Sequence, residues 1–137
     1  MGGINIHCGS FSGRDKSGSA FEGVLAGLKP IADGWARAAI ERIEAELMLA
    51  SSFILISPAD AAQLLPLLRR YRSVLERDLG PARDLKDLLR HDEEIVGLDP
   101  VEAKSGKGQG WQYYCVTDLE RAFEVAGLEA RNVVLCW

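Results

Sequence analysis

No apolar run in these 137 residues approaches the roughly 18 needed to cross a bilayer. Met1-Gly2-Gly3 carries no charge, and Ile4 to Cys8 is too short and too polar for a secretory leader. Ile6 stands where a myristoylation signal carries Ser or Thr. The expected location is therefore the cytoplasm. Cysteine is scarce. Cys8, Cys115 and Cys136 are odd in number and widely spaced, which excludes a disulfide framework and predicts reduced, buried thiols. An excess of positive charge is also missing. Sixteen Lys and Arg stand against 20 Asp and Glu, for a net charge of −4, which disfavours non-specific binding to nucleic acid or to an anionic membrane surface. Metal-ligand spacing is absent too. His7 and Cys8 are neighbours in a strand-like run and point to opposite faces, and His91 beside Asp92 has no second ligand pair. Neither a metal nor a cofactor is expected.

What is present is ordinary globular composition, 47% hydrophobic and 26% charged, which argues against disorder. A chain of this length buries about 68% of its unfolded surface, so residues 1–137 are read as one domain that needs no covalent staple. Ile4-Asn5-Ile6-His7-Cys8 alternates as a one-sided strand. Gly9 to Ser19 has the composition of a loop, and Ala20 to Leu28 that of a short helix ended by Pro30. Ala36, Ile40, Ile43, Leu47 and Ala50 recur at helical spacing after Asp33. Phe53-Ile54-Leu55-Ile56 reads as a buried strand. Ser57-Pro58 opens a helix with Ser57 as N-cap, its stripe being Ala61, Leu64, Leu65, Leu68, Tyr71 and Leu75, with a kink or break expected at Pro66.

Gly80-Pro81 is a breaker, and Asp84 to Arg90 adds a further helical turn or two. Residues 103–110 form a flexible Gly-rich loop by composition. Trp111 to Val116 is aromatic and β-prone. Thr117-Asp118-Leu119-Glu120 matches a capping box with Thr117 as N-cap, followed by the stripe Leu119, Ala122, Phe123 and Ala126 and a stop at Gly127. Asn132 to Trp137 is a nearly continuous apolar strand. The gap between Val116 and Asn132 is long enough for a crossover, so a C-terminal parallel β-α-β unit is expected. The fold class follows: α/β or α+β, with about four strands in a mixed sheet and helices packed on it.

Three features bear on chemistry. Gly9 to Gly18 follows a strand, precedes a helix and carries Arg14 and Lys16, the context in which phosphates bind. The phosphate-loop pattern requires Gly directly before the Lys-Ser pair, however, and Asp15 stands there, where its carboxylate repels phosphate. Gly106, Gly108 and Gly110 have neither the spacing nor the context of a dinucleotide loop. The third feature is charge. Residues 76–102 hold 4 basic and 9 acidic groups, net −5, whereas residues 1–75 carry +1 and residues 103–137 carry 0. An acidic stretch beside aromatic residues suits a basic protein partner, but the favoured plain reading is a solvated surface turn with the aromatics in the core.

The first strand running into Gly9-Ser10-Phe11, the helix after Ser19-Ala20-Phe21, the Ser57-Pro58 helix start, and the C-terminal Thr117-Asp118-Leu119 with Phe123 together give a pattern that resembles the small immunity proteins of bacterial polymorphic toxin systems. The resemblance implies a non-enzymatic cytosolic protein that binds one cognate toxin domain and occludes its active site. It carries over no catalytic residue. The expected partner-binding residues are Asp92, Glu93, Glu94, Asp99, Trp111 and Tyr113. The alternative is a small enzyme or a phosphate- or ligand-binding domain built on the loop 9–18, with Arg14, Lys16 and His7 at the end of the first strand.

Overall fold

The computed structural model describes residues 3–13, 16–49, 52–79 and 109–137. Among these, the order is β1 (Gly3–Cys8), β2 (Phe11–Ser12), β3 (Lys16–Ser17), α1 (Gly18–Leu28), a 3-10 turn (Lys29–Ile31), α2 (Gly34–Leu47), β4 (Phe53–Ile56), α3 (Pro58–Leu79), α4 (Gln109–Glu129) and β5 (Val133–Cys136). The fold is α+β. Among the described residues its sheet has the order β2-β1-β5-β4, with β3 also paired to β1, and every pairing is antiparallel, so the sheet is not the mixed one expected. The last strand in sequence therefore lies between β1 and β4.

Strand parity decides where the core sits. Ile4, Ile6 and Cys8 of β1, Ile54 and Ile56 of β4, and Val133 and Leu135 of β5 are all buried on one face. Residues of the four described helices join the same apolar cluster, so these helices cover that face. Two of the helix starts match the sequence chemistry. Asp33 caps α2, its carboxylate accepting the Ala36 N–H at 3.1 Å, and the Ser57 hydroxyl accepts the Asp60 N–H at 3.2 Å ahead of α3. The helix α3 runs through Pro66 without a break. Pro66 and Ala62 are both exposed, so the Ala62 carbonyl that loses its donor stays in reach of water.

Four expectations are corrected. Trp111 to Val116 is not a strand but the first part of α4. Buried Cys115 and Val116 continue the helical spacing of Leu119, Ala122, Phe123 and Ala126 backward, and that shared core face outweighs the β-propensity of the aromatics. With no strand there, no parallel β-α-β unit forms, and β5 pairs antiparallel on both sides. Thr117 is not an N-cap. It sits inside α4, where its hydroxyl donates back to the Tyr113 carbonyl at 2.9 Å. Gly127 lies within the helix, which instead ends at Glu129, with Ala130 at φ 53°.

Smaller differences concern the loops. The stretch Gly9–Ser19 holds β2, β3 and the start of α1, and Gly9 at φ 52° makes the turn between β1 and β2. Gln109 and Gly110, expected in the Gly-rich loop, open α4, while 103–108 lie outside the described residues, as does the helical turn expected at Asp84 to Arg90. The strand β4 is buried on one face only: Phe53 is 54% exposed and Leu55 50%. Cys8 and Cys115 are buried and Cys136 is half-buried, although Cys115 sits in a helix rather than a strand.

The corrected register has a measurable consequence. Thr117→Ala should be neutral or stabilising by up to about 0.6 kcal/mol, because Ala is the better helix former at an exposed interior position. Leu119→Ala and Phe123→Ala, which empty buried volume on the same helix, should cost about 2–5 kcal/mol each. A denaturant series in which Thr117→Ala is the most damaging of the three would restore the capping-box register.

Candidate protein-docking groove

The helices α3 and α4 are joined by an ionic and tyrosine-based seam. Glu120 of α4 is buried, and its carboxylate accepts from Arg72 Nη1 at 2.6 Å and from Arg69 Nε at 3.4 Å. Glu124 takes a second Arg69 nitrogen at 3.2 Å. Further along, the Tyr71 hydroxyl donates to Gln112 Oε1 at 2.5 Å and the Tyr113 hydroxyl to Glu76 Oε1 at 2.8 Å. Burial pushes the Tyr71 phenol up from its ordinary value, so it stays a neutral donor.

Beside this seam, α1, the 3-10 turn, α3 and α4 enclose an open groove of about 920 Å³. Gly27 and Ile31 line one wall, and Arg70, Tyr71, Ser73, Val74, Glu76, Arg77 and Tyr113 line the other. Arg70, Ser73, Val74 and Arg77 follow the i, i+3, i+4, i+7 spacing that puts them on one face of α3. Among the described residues, Arg69 and Arg72 are engaged by carboxylates, whereas the side chains of Arg70 and Arg77 take part in no ion pair or hydrogen bond. The groove thus presents the rings of Tyr71 and Tyr113, the apolar Ile31 and Val74, and the guanidinium groups of Arg70 and Arg77.

Gly27 sets the width of this groove. A Cβ at Gly27 would collide with the Tyr71 ring. Replacing a helical glycine with alanine ordinarily gains about 0.5–1 kcal/mol. Gly27→Ala should instead cost about 1–3 kcal/mol, because Tyr71 is held by Gln112 and must move off its partner. Thermal unfolding of Gly27→Ala beside a Gly27→Ala/Tyr71→Phe double variant checks this. A stabilised single variant would mean that Tyr71 does not rest on Gly27.

Of the residues expected to bind a partner, Tyr113 lines the groove. Trp111 lies half-buried on α4, packs edge-on against Tyr114 at 6.0 Å between ring centroids, and is not part of the groove lining. Asp92, Glu93, Glu94 and Asp99 lie outside the described residues. Sequence reasoning missed Arg70, Val74 and Arg77. Their regular spacing is visible in the sequence, but it runs along the flank of a stronger apolar stripe.

The alternative site at the loop 9–18 is organised around a carboxylate. Ser10 donates through both its N–H, at 3.1 Å, and its hydroxyl to Glu129. These hydrogen bonds, the hydroxyl's above all, hold the Glu129 carboxyl below the ordinary value for glutamate. The two donors of Ser10 are therefore already taken by the chain itself. Burial pushes the neighbouring Cys8 thiol up, with the Glu129 charge adding to the effect, and Cys8 donates to the Arg131 carbonyl at 3.6 Å. His7 points to the other face of the sheet, where its Nδ1 meets the Ser12 hydroxyl at 2.7 Å. Arg14 lies outside the described residues. No group of three potential metal ligands occurs among the described residues. No protein-family model, curated protein or solved structure matches the chain.

Proposed function

We propose that this protein is a bacterial immunity protein, a cytosolic inhibitor that binds one cognate toxin domain and covers its active site. The groove of α1, α3 and α4 is its docking centre. The observation that carries this reading is the groove's lining, in which Tyr71, Tyr113, Arg70, Arg77 and Val74 share one open concavity. Tyrosine and arginine, with tryptophan, are the side chains enriched where protein interfaces concentrate their binding energy. A partner segment with an apolar tip and a carboxylate or a run of backbone carbonyls matches those contacts.

The acidic residues Asp92, Glu93, Glu94 and Asp99 complete the proposal as charges that speed approach to a basic toxin cleft. Rim charges act mainly on association. Reversing Asp92, Glu93 and Glu94 to Lys together should slow association with the toxin and flatten its salt dependence, with dissociation nearly unchanged. The functional test is growth rescue of cells expressing the toxin encoded beside this gene, with binding kinetics at two salt concentrations. A charge-reversed protein that associates as fast as wild type at low salt removes the acidic residues from the account. Turnover of a small substrate by the purified protein, with no rescue, contradicts the immunity reading.

A further inference from the structure

We draw no further inference here: the strongest candidate, the apolar surface patch at the β4 edge of the sheet where Phe53 and Leu55 stand half exposed, lacks a neighbouring strand only among the described residues, and nothing in the structure shows what covers it.

Discussion

Leu135→Asp should leave the protein unfolded at room temperature, whereas Val134→Thr, one residue away, should cost about 1 kcal/mol or less. Both positions lie in β5, which is flanked by β1 and β4. Leu135 is fully buried against the helices, and Val134 faces the open side. An aspartate at 135 would sit within the buried apolar cluster to which Leu135 belongs. Burying such a group costs at least about 5 kcal/mol, which is comparable to the whole stability of a domain this size. Position matters as much as chemistry. The strands β1 and β4 do not touch each other, so a damaged β5 disconnects the sheet. Circular dichroism and a urea titration on the two variants check this. A folded Leu135→Asp protein would refute the central placement of β5.

The second large effect is functional. The double variant Val74→Asp/Arg77→Glu should lose neutralisation of the cognate toxin, with affinity falling at least about 100-fold, while its thermal midpoint stays near that of wild type. Both side chains are exposed on α3, and Arg77 makes no ion pair among the described residues, so little folding energy is at stake. The substitutions place two carboxylates in the groove where an apolar contact and a cation stood, so a partner built to meet Val74 and Arg77 encounters repulsion. Tyr113→Ala should weaken binding in the same direction. It should also cost some stability, because the Tyr113 hydroxyl ties α4 to Glu76 of α3. Full growth rescue by a folded Val74→Asp/Arg77→Glu protein would show that the toxin does not dock in the groove.

The parts of the fold legible in the sequence are those where one local signal stands unopposed. Asp33 and Ser57 announce helix starts by short side chains that cap backbone donors, and both caps form. The alternation from Ile4 to Cys8 gives β1, with the even-numbered residues buried. The region from Trp111 to Glu120 misleads because two local signals conflict with a longer one. Its aromatic run favours a strand, and Thr117-Asp118-Leu119-Glu120 imitates a capping box. A capping box, however, works only where the chain enters a helix from outside. Here the helix has already started at Gln109, and the Thr117 hydroxyl turns back to the Tyr113 carbonyl instead.

Topology was less legible for a related reason. A long connection before a C-terminal strand permits a parallel crossover, but it does not require one once the preceding strand is absent. The half-exposed face of β4 was hidden for another reason: four consecutive apolar residues look the same whether both faces are covered or one is open. The groove was legible only through Tyr113. Its other members sit on the outer flank of α3, and they converge only when α1 and α4 fold against that helix.

The docking claim is tested most directly by hydroxyl-radical footprinting of the protein alone and in complex with its toxin. Oxidation of Tyr113, Tyr71 and Val74 should fall on complex formation. Oxidation of Trp35 and Leu128, about 80% exposed and outside the groove, should not change. A stable complex in which the three groove residues stay as reactive as in the free protein would contradict the account.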